Sequence, residues 1–137
     1  MRQQLPTVLL RHVTRRGLHH DWLMAEPHTW HVPSAGLWAA RVLPSHRHWA
    51  DWGTWPLQRI ANHRRTYLTY EGPLTRGRGY VSRVAEGYVV PLLWTSDRIV
   101  IDLAMQHCRG RVELHWRDTD RWQARLVPKR TLHGGGR

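Results

Sequence analysis

The chain has 137 residues, with 21 Lys and Arg against 10 Asp and Glu, a formal charge of +11 before its eleven histidines are counted. That length suits one domain with one hydrophobic core, and that charge points to a polyanionic partner, because each phosphate met by Lys or Arg releases counterions. A lone cysteine, Cys108, excludes an internal disulfide and a multi-cysteine zinc site. No apolar run reaches the roughly eighteen residues of a membrane helix and no signal-peptide pattern is present, so a soluble, cytoplasmic monomer without membrane contact is expected.

In chain order, "TVLLRHV" (7–13) and "LHHDWLMA" (18–25) read as strands, and a tight turn near Glu26 and Pro27 leads into a third, "TWHVP" (29–33). "WAARVL" (38–43) fits a strand or a short helix. Residues 44–65 are rich in His, Arg and Trp and read as irregular, with one helical turn around "PLQRIAN" (56–62). "RTYLTYEG" (65–72) returns to strand character and enters a glycine-rich basic loop, "GPLTRGRG" (72–79).

Period-two alternation then dominates. Ile99, Ile101, Leu103 and Met105 share one side of a run, as do Val112, Leu114 and Trp116, and Trp122, Ala124 and Leu126. Turn material separates the runs at "AEG" (85–87), "TSD" (95–97), "CRG" (108–110) and "RDTD" (117–120). Short strands at this regular spacing predict a mainly β fold, a compact antiparallel β-barrel with short helical or irregular segments. One domain covers 1–137, with its core over about 7–127 and a flexible tail over 128–137. Nine Trp and no Phe suit a core whose rim is capped by indoles, some of them placed to stack on bases.

Chemistry concentrates in "RGLHHDWLMA" (16–25). On a strand, alternate residues share a face, so Leu18, His20, Trp22 and Met24 line a packing side while His19, Asp21 and Leu23 line the other. An imidazole and a carboxylate two residues apart can converge on one divalent cation, and His12 in the preceding strand is the third donor if "VTRRG" brings the chain back alongside. Spacing alone leaves this open, since His–Asp pairs also serve as hydrogen-bonded structure. On its own residues His63 reads first as a surface histidine in a basic loop, and Tyr67 reads equally as a half-buried strand tyrosine. "TRGRGYVSR" lacks the Lys-Ser/Thr ending of a nucleotide-binding P-loop, so ATP binding is not indicated. Cys108 has no identifiable base partner and reads as incidental.

Taken together, "RHVTRRGLHHDWLMA", "TWHVP" and "HRRTYLTYEGPLTRGRG" resemble the phosphoesterase domain of bacterial DNA ligase D, and more closely its small stand-alone relatives, often labelled DNA polymerase ligase-like. The opening motif has the form H-x-x-x-R-G-L-H-x-D, and a Y-x-x-[FY]-E-G stretch follows in the same order, over about Thr7 to Val127. The resemblance implies a β-barrel that binds Mn²⁺, with Zn²⁺ or Co²⁺ as substitutes. It also implies removal of a 3′ phosphate or 3′-terminal ribonucleotide from DNA ends or RNA-containing DNA ends, beside a ligase or polymerase of an end-joining pathway. It assigns metal binding to His12, His19 and Asp21, and phosphate chemistry to His63 with Tyr67.

Two places depart from the family pattern. Leu23 stands where the ligase D domain has a phosphate-holding arginine, and Ala25 replaces the glutamate that follows. A second phosphate-binding arginine has Arg59 as its nearest counterpart, while Arg64, Arg65, Arg76 and Arg78 are the other basic side chains able to take over. The rival expectation is therefore a non-catalytic nucleic-acid-binding or repair-scaffold β domain. A metal-dependent oxygenase barrel shares the ligand chemistry but ordinarily takes its second histidine from far downstream, whereas His12 lies upstream.

Overall fold

A computed structural model of the chain describes residues 3–43 and 53–127. Among the described residues nine strands make up a single antiparallel sheet: β1 (Leu5–Thr14), β2 (Gly17–Met24), β3 (Leu37–Val42), β4 (Thr54–His63), β5 (Gly72–Pro73), β6 (Tyr80–Trp94), β7 (Arg98–Met105), β8 (Cys108–Asp118) and β9 (Arg121–Val127). Their spatial order is β1-β2-β3-β4-β9-β8-β7-β6-β5, and β1 also pairs with β6, so the sheet closes in a ring.

Indoles and aliphatic side chains fill the interior of that ring. Trp22 meets Trp55 with ring centroids 6.4 Å apart, and Trp38 meets Trp122 edge to face at 5.7 Å. Burial does not follow simple alternation on β1 and β2, where Val8, Leu9 and Leu10, and then Trp22, Leu23 and Met24, are all buried. These strands are covered on both faces, which is why they read as continuous apolar runs. The ring covers one face, and the segment after β4 covers the other, with Tyr67, Leu68, Tyr70 and Leu74 packed against the core. The buried hydroxyl of Thr7 is satisfied twice over, donating to the Leu23 carbonyl and accepting from the Trp22 indole N–H.

Several sequence expectations need correction. "TWHVP" is a run of turns. Pro27 and Pro33 remove ladder donors there, and Trp30 N–H donates instead to the Glu26 carbonyl and Val32 N–H to that of Thr29. "PLQRIAN" lies within the ten-residue strand β4, with Trp55 and Leu57 fully buried. Pro56 is tolerated because its carbonyl and ring nitrogen face the end of β3, where the carbonyl accepts from Leu43 one step beyond the Val42–Leu57 pair, so the missing donor falls at the β3 terminus and not in the β9 ladder, where Pro56 opposes Gln123. Residues 44–52 of the expected irregular stretch, and the expected tail 128–137, lie outside the described residues.

"RTYLTYEG" is a 3-10 turn over Arg65–Leu68 rather than a strand. Tyr67, inside that turn, meets Tyr70 just past its end with ring centroids 6.2 Å apart, and the Tyr70 N–H donates back to the Thr66 carbonyl. "AEG" is not a turn either, because β6 runs unbroken through it. A Cβ on Gly87 would collide with the Ala104 carbonyl, so this glycine permits close approach of strands and not a reversal. The β7–β8 turn sits at Gln106–His107, with His107 in the left-handed region at φ 69° and Cys108 already in β8. Among the described residues no helix is long and apolar enough to cross a membrane.

Candidate metal centre

A two-residue loop, Arg15–Arg16, joins β1 to β2, and the ladder pairs Thr14 with Gly17, Val13 with Leu18 and His12 with His19. Gly17 sits at φ 132°, a conformation that L side chains rarely adopt, which accounts for a glycine at the hairpin. Residues directly opposite in a ladder point to the same face. His12 therefore faces His19 across the hairpin, with ring centroids 4.6 Å apart, and Asp21 follows on that face two residues along β2. One ligand atom from each of the three lies within 4.8 Å of the others.

The donor set fits a divalent transition cation: two imidazoles and a carboxylate, with positions left for water or substrate. His19 Nδ1 lies 3.1 Å from Asp21 Oδ1, which is also about the separation of two neighbouring ligands each roughly 2.1 Å from one ion. His12 donates its Nε2–H to the Arg78 carbonyl at 2.7 Å, which fixes the tautomer and leaves Nδ1 as the free donor. Metal-ligating histidines are commonly held in this way.

Asp21 is almost fully buried, 4% exposed. A buried carboxylate needs compensation, and beyond His19 it receives this from Arg41, its register partner on β3, whose Nε lies 3.6 Å from Asp21 Oδ1. That Nε is buried and makes no hydrogen bond of its own. His20, on the packing side of β2 and buried, has its pKa lowered by burial first and by Arg11 second.

His12 and Asp21 open onto a cleft of about 310 Å³ whose wall also includes His63, Arg64, Tyr67 and Arg78, with Leu10, Leu74 and Val81 as its apolar side. His63 lies at the end of β4. Its Nδ1–H donates to the Ala61 carbonyl at 2.9 Å, leaving Nε2 free, and its ring meets Tyr67 at 5.7 Å. Arg64 also lies over the Tyr67 ring, 6.0 Å from its centroid. Arg78 spends Nε and one Nη on Thr75.

The other three arginines anticipated as phosphate contacts are placed elsewhere. Arg65 donates to the carbonyls of Ala35, Thr29, Trp30 and Val32 and stacks on Trp30 at 4.0 Å, stapling the turns that replace "TWHVP". Arg59 binds the Ala39 and Ile60 carbonyls and Asn62 Oδ1, and lies 4.8 Å from the Trp38 ring centroid. Arg76 is exposed, with φ at 61°, and does not line the cleft. Leu23, at the position where the resemblance leads one to expect an arginine, is 0% exposed and opposes Val8 and Ala39.

Two residues of this site escaped sequence reasoning. Arg41 lies in "WAARVL" with no motif around it, and only the β2–β3 register brings it beside Asp21. Asn62 lines the cleft next to His63, and its position before that histidine was the one available signal. A scan of the chain against protein-family models gives no match, and a search of curated proteins gives none either.

Proposed function

We propose that this chain is a metal-dependent phosphoesterase of the DNA ligase D type, built on a closed β-barrel and acting on nucleic-acid 3′ ends. One observation carries the reading: His12, His19 and Asp21 meet within ligand distance, and His12 and Asp21 open onto the same cleft as His63, Tyr67, Arg64 and Arg78. Cation donors, a titratable imidazole and guanidinium groups in one cleft are what hydrolysis of a phosphate ester requires.

When bound by His12, His19 and Asp21, a divalent cation such as Mn²⁺ supplies Lewis-acid polarisation of a phosphoryl oxygen and activation of water. With Nδ1–H committed to the Ala61 carbonyl, His63 acts as imidazolium, whose Nε2–H donates to a nonbridging oxygen or passes its proton to the departing one. Tyr67 contacts both His63 and Arg64 and orients them against the phosphate. Arg64 and the unspent donors of Arg78 neutralise charge that develops on phosphorus-bound oxygens. Arg41 holds the Asp21 carboxylate in place. A 3′ hydroxyl, the product, is the group a ligase or polymerase consumes, which makes such an enzyme the natural partner.

A second reading, a nucleic-acid-binding scaffold without turnover, is favoured by Leu23 being core and by Arg59 and Arg65 being committed to structure. The deciding experiment measures metal content and Mn²⁺-dependent hydrolysis of 3′-phosphate and 3′-ribonucleotide primer–templates, with His19→Ala and Asp21→Ala beside the native chain. Hydrolysis lost in both variants is the expected outcome. Salt-sensitive DNA binding with no hydrolysis by the native chain establishes the scaffold, and hydrolysis surviving both substitutions removes the metal scheme.

A further inference from the structure

We propose that the mouth of the ring is a stacking subsite for one unpaired nucleobase, separate from the metal cleft. The 26–28 connection and the β6–β7 and β8–β9 turns come together at this end, and Trp38, Trp94, Trp116 and Trp122 line a cavity there of about 450 Å³ together with Glu26 and Arg59. Trp38 and Trp122, 3% and 6% exposed, form its floor. Trp116 stands 46% exposed at the rim, more than packing requires, yet its indole N–H is tied to the Thr119 carbonyl at 3.1 Å, which holds the ring plane in place. Rigid, preset aromatic faces are the feature that makes base stacking favourable on nucleic-acid-binding surfaces.

Charge selects the ligand class. Arg59 donates to Asn62 Oδ1 and Asn62 donates to Glu26 Oε2, so the one guanidinium and one carboxylate of the mouth are balanced through a shared amide. The mouth thus suits a neutral planar ring rather than an anion. A cationic guest is disfavoured, because Arg59 already occupies the Trp38 face and the chain carries a formal charge of +11. A nucleobase is the neutral planar group that arrives attached to a polyanion. Asn62, which hydrogen-bonds Arg59 and Glu26 of the mouth, itself lines the metal cleft, so one side chain links the two cavities, and one strand can rest a base in the mouth with its phosphodiester toward the cleft.

The test uses the intact chain in EDTA, so that hydrolysis plays no part. Fluorescence anisotropy compares a labelled short oligothymidylate with an abasic strand of equal length and charge. The base-bearing strand is expected to bind roughly tenfold more tightly, and Trp116→Ala to remove most of that preference while salt-dependent binding of the abasic strand persists. Asp21→Asn is expected to keep the preference, which separates this subsite from the metal cleft. Equal binding of the two strands, absence of binding to either, or an undiminished preference in both Trp116→Ala and Trp94→Leu overturns the proposal.

Discussion

Replacing Asp21 by Asn keeps the shape of the side chain but removes the anionic donor from the His12–His19–Asp21 set, and its consequences follow from the geometry. For the native chain, a ligand at one hundred times its dissociation constant stabilises the fold by about 2.7 kcal/mol. For a domain of this size each kcal/mol raises Tm by about 3–4 °C, so saturating Mn²⁺ should raise Tm by about 10 °C. If the lost ligand weakens binding a hundredfold, the same concentration yields only about 0.4 kcal/mol, a shift of about 1–2 °C. Without metal the variant also leaves the buried Arg41 Nε, 3.6 Å from Asp21, without its counter-charge. Because the Arg41 side chain is 37% exposed, that loss is discounted to about 1 kcal/mol, or a Tm about 3–4 °C lower in EDTA. Thermal melts of both proteins in EDTA and in Mn²⁺ test each number. A native Tm that Mn²⁺ leaves unmoved, or an Asp21→Asn Tm raised as far as the native one, refutes the metal site.

Other expectations follow from single residues. His63→Ala should lower kcat for 3′-phosphate removal by about 10²–10⁴-fold while the Mn²⁺-induced Tm shift stays native, because His63 lines the cleft without belonging to the ligand set; an unchanged kcat would exclude it from the chemistry. Arg65→Ala should destabilise the fold by about 2–4 kcal/mol by urea titration, since the carbonyls of Ala35, Thr29, Trp30 and Val32 lose their shared donor, with little effect on DNA binding by the folded fraction. Burial pushes the Cys108 thiol up to about 11 from 9.0. The unfolded chain then loses its thiol proton first, so stability is full below about pH 9 and falls by on the order of 2 kcal/mol as pH rises through 11; Cys108→Ala should flatten that slope in urea titrations across pH 8–11, and slow thiol alkylation of the native protein at pH 8 is the companion observation.

Legibility in the sequence varied with the kind of information required. The pleat argument on "RGLHHDWLMA" is local: alternation decides that His19 and not His20 accompanies Asp21, and the ladder has that arrangement. The β7, β8 and β9 runs were readable for the same reason, since one buried face imposes period two. Reading failed where a segment is stabilised by something distant. "RTYLTYEG" has the composition of a strand, yet it packs against the core beside β1 and curls to bring the Tyr67 and Tyr70 rings together. "TWHVP" also looks extended, but its carbonyls are gathered by a guanidinium more than thirty residues away. β4 was obscured by Pro56, whose missing donor is harmless only because β3 has already ended.

By itself, then, the sequence determined the antiparallel β character, the strong positive charge, and the two-donor edge of His19 and Asp21, because each depends on residue type and on contacts no further away than the next strand position. Only the tertiary structure decided that the sheet closes through β1 and β6, that Arg41 rather than a residue at position 23 accompanies Asp21, and which arginines reach the cleft. Register between distant strands and competition among long cationic side chains for backbone carbonyls are properties of the whole packed chain. A guanidinium goes to whichever buried acceptors the fold leaves unpaired, and no local pattern announces where those will be.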